Sequence, residues 1–144
     1  MNDSSVSVAK IAKILDLKNF TDNIDLKKIK ITSSDVNRPA LQLTGYFAHF
    51  EQSRIQMIGN VEYAYIQQMN DEEKRIRYSA FLQFEIPCVI FCRELQPDAI
   101  FIEQAEKNHV PILGTSRPTS EFMAELIYTL AEKLAPCITV HGVL

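Results

Sequence analysis

The pattern of apolar and polar positions alternates between helix-like and strand-like segments along the chain. Apolar residues recur at helical intervals in four segments, at Val8, Ile11, Ala12 and Leu15, at Tyr63, Ile66 and Met69, at Ile76, Ala80, Phe81 and Phe84, and at Phe122, Leu126, Leu130 and Leu134. Nearly continuous apolar runs over 55–58, 88–92, 110–113 and 137–144 predict buried strands. Alternating strands and helices at this spacing predict right-handed βαβ units and a mainly parallel sheet.

Proline and glycine mark the boundaries of these predicted elements. Pro97 and Pro118 each stand where the first turn of a helix would begin, and Pro136 ends the second of these helices. Arg38 and Pro39 predict a turn into a short helix. The last apolar run reaches the final residue, which suggests that the sequence is a fragment of a longer protein.

Composition excludes several functional classes. The 144 residues suit one domain, and a net charge of −3 argues against a dedicated nucleic-acid binder. No apolar run approaches about 20 residues, so no membrane span is predicted. The glycines stand singly, which leaves no phosphate-cradling G-x-x-x-x-G-K-S loop. The three cysteines lie among apolar residues and are interpreted as reduced thiols of a cytoplasmic protein.

The three cysteines and one histidine form a candidate metal site. Cys88-x3-Cys92 and Cys137-x3-His141 have the composition of a zinc set. In a strand, however, residues four apart are separated by about 13 Å, too far to share one ion. We therefore predict no metal site. His141 interrupts an apolar run, and a core histidine and a functional one are both open interpretations.

Two predicted strand-to-helix turns are candidate anion sites. One spans 114–118 and contains Arg117, and the other spans 33–39 and contains Ser34, Asp35 and Arg38. Each offers hydroxyls, an arginine and a helix N-terminus with free N–H groups. Helix capping with a surface arginine is the commoner interpretation of both, and Asp35 would repel an anion.

Several stretches of the chain resemble one bacterial family. Residues 34–47 (SDVNRPALQLTGYF) resemble the S-D-x-x-R-P-G-L-x-L-x-G-Y-F signature of HPr kinase/phosphorylase, with Ala40 where the family usually has Gly. Residues 54–62 (RIQMIGNVE) resemble its R-I-Q-x-x-G-x-x-E segment, and 85–87 and 134–144 match in order. The resemblance covers nearly the whole chain and points to the N-terminal domain of that family.

The resemblance implies a bifunctional parent enzyme. It implies phosphorylation of a serine of the phosphocarrier HPr with ATP or pyrophosphate and Mg²⁺, and removal of that phosphate by phosphorolysis. It also implies a homo-oligomer, hexameric at full length. The resemblance places 1–134 in an N-terminal domain, and 135–144 in a connection and first strand leading to a C-terminal P-loop kinase domain. The matching histidine of its H-G-V-L motif, His141, would belong to the active region of the parent.

The resemblance also implies the fold and narrows the role of the chain. The implied fold is a three-layer α/β/α domain like the first domain of Mur ligases. The chain alone is expected to be inactive. It would be a module for assembly or regulation, with Tyr46, Phe47 and Phe50 as an aromatic contact patch. One alternative is a domain of the enzyme that binds a small anionic metabolite at Arg38 or Arg117. The other is a standalone α/β domain that binds such a metabolite.

Overall fold

The computed structural model describes residues 4–136. Its helices are α1 (Val8–Ile14), α2 (Ala40–Leu43), α3 (Asn60–Gln67), α4 (Asp71–Leu82), α5 (Ala99–Lys107) and α6 (Thr119–Leu134). Its strands are β1 (Val6–Ser7), β2 (Lys18–Asn19), β3 (Lys30–Ile31), β4 (Val36–Asn37), β5 (Ile55–Ile58), β6 (Val89–Phe91) and β7 (Ile112–Gly114). A short 3₁₀ turn covers Leu26–Lys28. The strand predicted over 137–144 lies outside the described residues.

The main sheet has five strands in the order β2-β7-β6-β5-β4. The pairs β4–β5, β5–β6 and β6–β7 are parallel, and β2 joins β7 antiparallel at the edge. The prediction of a mainly parallel sheet is therefore confirmed. A separate antiparallel pair of β1 with β3 places Val6 opposite Ile31.

Side chains that alternate along the central strands divide the core into two halves. Ile90 of β6 and Leu113 of β7 face a cluster formed with α1 and α6. Their neighbours Phe91 and Ile112 face a second cluster formed with α2, α3, α4 and α5. Both faces of the sheet are thus covered by helices, as a parallel sheet requires. The predicted three-layer α/β/α fold is confirmed, and the likeness to Mur ligases stays a prediction.

The structure moves two predicted boundaries. The helix predicted to begin at Pro97 has its N-cap at Asp98, whose carboxylate accepts from the Phe101 N–H at 2.8 Å. A side chain that can accept this bond is a better helix start than proline. The strand predicted over 110–113 is shifted to Ile112–Gly114, where it pairs with β6.

A polar cluster fixes α4 against α5. The Tyr78 hydroxyl donates to Asp98 Oδ2 at 2.8 Å, and Lys74 Nζ lies 3.3 Å from the same oxygen. Burial, followed by the bond to Asp98, raises the pKa of Tyr78. Asp98 also caps α5, so its carboxylate contacts the Tyr78 hydroxyl, the Lys74 ammonium and the Phe101 N–H. We therefore interpret the cluster as one that stabilises the packing of α4 on α5.

We predict that Phe91→Ala strongly destabilises the domain. Phe91 is fully buried and packs edge-on against Phe101 at 5.1 Å and Tyr63 at 6.4 Å. The cavity left by its ring should lower the free energy of unfolding by about 3–5 kcal/mol in urea denaturation. Ile76→Ala, at a residue 60% exposed, is the control and should change it by less than about 0.5 kcal/mol. Equal losses in both variants would contradict this view of the core.

Candidate functional site

Polar residues gather where the parallel strands end. Arg38 follows β4, Asn60 begins α3 after β5, Arg93 follows β6, and Thr119 begins α6 after β7. Because parallel strands end at the same edge, their loops meet there, which is where open α/β sheets bind ligands. These loops form a pocket of about 220 Å³, which we name the carboxyl-edge pocket; it is lined by Arg38, Asn60, Val61, Arg93, Thr119 and Ser120.

An ion pair between Arg38 and Glu62 forms one wall of this pocket. Arg38 Nη2 lies 2.7 Å from Glu62 Oε1, and the Glu62 side chain is only 3% exposed. The same carboxylate oxygen accepts from the Gly59 N–H at 2.9 Å. A buried carboxylate is costly unless it is paired and hydrogen-bonded. Glu62 therefore holds the Arg38 guanidinium across the start of α3.

Gly59 is required at its position by space. A Cβ atom there would lie 2.7 Å from Arg38 Nη2 and 2.7 Å from Thr119 Oγ1. Both distances are far below van der Waals contact. The absence of a side chain at Gly59 thus lets the start of α6 and the Arg38 guanidinium approach each other.

A network of amides holds the strand that precedes Arg38. Asn37 Nδ2 donates to Gln56 Oε1 at 2.7 Å and is 3.1 Å from Gln42 Oε1. Gln56 is fully buried in the centre of β5. Sequence reasoning missed this network, although a glutamine within the apolar run 55–58 is the signal that could have shown it.

The start of α6 has unsatisfied polar groups. Within residues 4–136, Arg38 Nε and Thr119 Oγ1 are buried without a hydrogen-bond partner. Such a buried group costs about 1–3 kcal/mol. Gly59 and Pro118, the N-cap residues of α3 and α6, make no capping side-chain bond to the described chain. Glu62 accepts from the Gly59 N–H, and the N–H groups of the residues that follow each cap begin α3 and α6 beside the pocket.

The Cys92 thiol beneath the pocket stays protonated at neutral pH. It is fully buried, and burial is the main cause that raises its pKa to about 11. Thr119, Arg38 and Arg93 oppose this rise, and Glu62 adds to it. A protonated thiol is a poor nucleophile. Cys92 is therefore not activated as a nucleophile in this position.

Two residues of the predicted turn over 33–39 lie away from Arg38. The prediction of a single turn is wrong, because Val36–Asn37 pairs with β5 as strand β4. Ser34 and Asp35 precede β4, whereas Arg38 follows it, so they stand at opposite edges of the sheet. The Asp35 carboxylate lies 3.6 Å from the Arg54 guanidinium. The predicted role of Ser34 and Asp35 in binding a ligand stays a prediction. Arg38, at the other end of β4, would not share that ligand with them.

The other predicted site residues also lie outside the pocket. Arg117 follows β7 in the predicted turn, but its guanidinium is ion-paired with Glu125 of α6. Tyr46 is 52% exposed after α2. His141 lies outside the described residues. Sequence reasoning did not single out Arg93 or Thr119, because each belongs to the pocket only through the sheet topology.

A larger pocket of about 410 Å³ lies at the opposite, amino edge of the sheet. Lys28, Lys30, Glu85 and His109 line it with mixed charge. The two buried unpartnered atoms found among residues 4–136 both belong to the carboxyl edge instead. The carboxyl-edge pocket is therefore the stronger candidate site.

Neither a metal cluster nor a membrane-spanning helix is found in the part of the chain that the structure describes. In the stretch from residue 4 to residue 136, no three His, Cys, Asp or Glu side chains are placed to share a metal ion. In that same stretch, no helix is both long and apolar enough to cross a membrane. The prediction that the chain binds no metal stays a prediction.

The fold and pocket define an open α/β domain with a charged carboxyl edge. The family model described as HPr Serine kinase N terminus matches residues 6–130. The chain therefore belongs to the N-terminal family of HPr kinase/phosphorylase, as its motifs indicated.

Curated relatives named HPr kinase/phosphorylase agree with this assignment. That of Lachnoclostridium phytofermentans is 45% identical over 97% of this chain and 45% of its own length. That of Clostridium botulinum (strain Eklund 17B / Type B) is 38% identical over the same shares. That of Caldicellulosiruptor bescii is 40% identical over 96% of this chain and 44% of its own length. The chain thus spans somewhat less than half the length of these relatives.

A solved structure supports the fold alone. It contains the CBS and DRTGG domains of the regulatory region of Clostridium perfringens pyrophosphatase, complexed with the activator diadenosine tetraphosphate. The match has a TM-score of 0.61 and covers 96% of this chain and 52% of that one. Sequence identity is 17%, so the likeness concerns architecture.

We predict that Cys88 and Cys92 resist alkylation in the native domain. Burial raises their pKa values to about 12 and about 11, so at pH 8 each holds at least about a hundredfold less thiolate than an ordinary cysteine. Iodoacetamide labelling followed by mass spectrometry should modify both slowly in a Cys137→Ser variant. Unfolding in urea is the control and should restore rapid labelling. Equal rates in the two states would refute the buried, protonated assignment.

Proposed function

We propose that this chain is the assembly and regulatory domain of a bifunctional HPr kinase/phosphorylase. The full protein would phosphorylate a serine of HPr with ATP or pyrophosphate and remove that phosphate by phosphorolysis, in the bacterial cytoplasm. The supporting observation is the family match over 6–130, together with relatives of that name that are about twice as long.

The residues of this chain do not fit the nucleotide and Mg²⁺ that the activity requires. No G-x-x-x-x-G-K-S loop is present in the sequence. Arg38 lines the carboxyl-edge pocket, and the buried Glu62 carboxylate beside it is already bound to Arg38. Mg²⁺ in nucleotide sites is held by free carboxylates and phosphates. We therefore assign the phosphoryl transfer to the part of the protein beyond this chain.

An exposed apolar surface supports the assembly role. Helices α2 and α3 contact each other, and they present Leu41 at 59%, Val61 at 70% and Tyr65 at 37% exposure, with Tyr46 following α2. Clustered exposed apolar side chains are typical of interaction sites. We name these four side chains the α2–α3 surface and propose that it contacts other subunits in a hexamer.

The predicted aromatic patch contributes only Tyr46 to this surface. Phe47 and Phe50 turn inward and pack against Phe84, with ring centroids 4.9 Å and 5.1 Å away. Their rings anchor the loop after α2 to the end of α4. The contact role predicted for Phe47 and Phe50 is therefore corrected to an internal one.

The division between this chain and the rest of the protein predicts the outcome of an activity assay. The isolated chain should transfer no phosphate from ATP or pyrophosphate to HPr, because it has no loop to hold the phosphates. A full-length HPr kinase/phosphorylase that contains this chain, assayed beside it with Mg²⁺, should phosphorylate the HPr serine and reverse the reaction in excess inorganic phosphate. Mass spectrometry of HPr reads both directions. Phosphorylation of HPr by the isolated chain would refute the assignment of phosphoryl transfer to another part of the protein.

The α2–α3 surface predicts how charged variants change assembly of a full-length protein that contains this chain. A Leu41→Asp and Tyr65→Asp double variant places two charges on the α2–α3 surface and should shift the protein to smaller species in sedimentation velocity. Ile76→Asp introduces a charge at a similarly exposed position on α4 and should leave assembly unchanged. Circular dichroism confirms that both variants fold. An unchanged oligomer in the double variant would count against the surface.

A further inference from the structure

We propose that the carboxyl-edge pocket binds the phosphate group of a small anionic metabolite, held between Arg38, Arg93 and the N-termini of α3 and α6. Nothing in the family match or in the names of the relatives assigns a ligand to this domain. The site is separate from the α2–α3 surface except at Val61, and it does not depend on phosphoryl transfer.

The charges of the pocket favour an anion. Arg38 and Arg93 bring two positive charges, and Glu62 is the buried negative charge among them. Arg93 is exposed and makes no ion pair with any residue between 4 and 136. Glu121 in the first turn of α6 is also exposed and screened by solvent. Two helix N-termini add about half a positive charge each.

Thr119 provides the observation that points to a ligand. It is only 5% exposed, and its hydroxyl lacks a hydrogen-bond partner among residues 4–136. Its hydroxyl lies beside the Cys92 thiol and lowers the pKa of that thiol, but the contact lacks the geometry of a hydrogen bond. Thr119 lines the pocket, and its hydroxyl oxygen lies 2.7 Å from the position that a Cβ atom at Gly59 would occupy. A hydroxyl in this position is a donor for a phosphate oxygen.

The backbone before the pocket holds Arg93 in place. Arg93 and the next residue, Glu94, both have a left-handed backbone, with φ of 59° and 60°. The Arg93 N–H donates to the Arg117 carbonyl at 3.0 Å, and the Glu94 N–H donates to the Thr115 carbonyl at 2.9 Å. Left-handed conformations are unfavourable for such residues, and they persist where the surroundings fix them. Here the loop after β7 fixes the loop after β6, and Arg93 lines the pocket as a result.

The size of the pocket limits the ligand. Its volume of about 220 Å³ is below the roughly 300–1,000 Å³ typical of pockets for larger organic ligands. Phosphate with a small organic group fits this volume better than a nucleotide does. Arginine forks and helix N-termini are the usual protein donors to phosphate oxygens.

The test is a titration of the 144-residue chain followed by ¹H–¹⁵N correlation spectra. Inorganic phosphate and glycerol 3-phosphate are added separately at constant pH and ionic strength, with sodium chloride as the reference. We expect shifts at the amides of Asn60, Val61, Thr119 and Ser120, with a dissociation constant of about 1 mM or lower. Tighter binding of glycerol 3-phosphate identifies a phosphate ester as the ligand class, and tighter binding of inorganic phosphate identifies the free ion.

Matched variants distinguish specific binding of phosphate in the pocket from nonspecific attraction of anions to surface arginines. Arg93→Gln should weaken phosphate binding at least about tenfold, because a charge-assisted bond is lost. Arg117→Gln, an exposed arginine outside the pocket, should change it less than about twofold. Thr119→Val should also weaken binding, while its melting temperature stays equal or rises because an unsatisfied buried hydroxyl is removed.

The proposal is overturned by any of three results. These are no amide shifts at the pocket, the same shifts with chloride, or equal effects of Arg93→Gln and Arg117→Gln in folded protein. The titration uses no HPr and no oligomer, so a negative result leaves the assembly and kinase proposals standing. Conversely, failure of those proposals does not alter binding measured on this chain.

Discussion

The structure depends on the requirement that a parallel sheet be covered on both faces. Strands β4, β5, β6 and β7 lie side by side in chain order, so every connection crosses in the same direction. Right-handed crossovers then place α2, α3, α4 and α5 on one face. The opposite face is left open, and it is covered by α1 and α6. The three layers thus follow from strand order and handedness.

The same topology generates the polar edge. Because the strands are parallel, the loops before α2, α3 and α6 all open at their carboxyl ends, and two of these helices begin beside each other at Gly59 and Thr119. The buried Glu62 carboxylate requires a cation there, which Arg38 provides at 2.7 Å. Glu62 neutralises only one of the two arginines, and Arg93 remains as excess positive charge. The positive charge of the pocket therefore follows from the pairing of the buried Glu62 carboxylate with Arg38 and from the absence of such a partner for Arg93 in the described chain.

The sequence predicted elements whose signal is local and missed those that depend on partners. The four-residue recurrence of Phe122, Leu126 and Leu130 predicted α6, and the apolar run 88–92 predicted β6. Strands β2 and β4 have two residues each, too few for any periodicity, and exist only through pairing with β7 and β5. Missing β4 is why 33–39 was interpreted as one turn.

Site residues divide in the same way. Arg38 and Arg117 were predicted alike, since both precede a proline near a helix start, but only Arg38 faces a buried carboxylate. Arg117, which precedes α6, instead pairs with Glu125 of that helix, a partner that the sequence alone does not favour over others. Thr119 belongs to the pocket because Gly59, 60 positions earlier, leaves room for its hydroxyl. Such pairings arise from tertiary contacts, which local patterns do not encode.

Helix α3 connects the two proposed surfaces. Its first turn lines the carboxyl-edge pocket, and its exposed face, with Val61 and Tyr65, forms part of the α2–α3 surface. A phosphate bound at the start of α3 would stabilise the placement of that helix, and assembly through its exposed face would do the same. Two events that favour one placement must strengthen each other equally, because coupling between binding sites is reciprocal. Anion binding in the pocket and subunit contact through the α2–α3 surface would then favour each other.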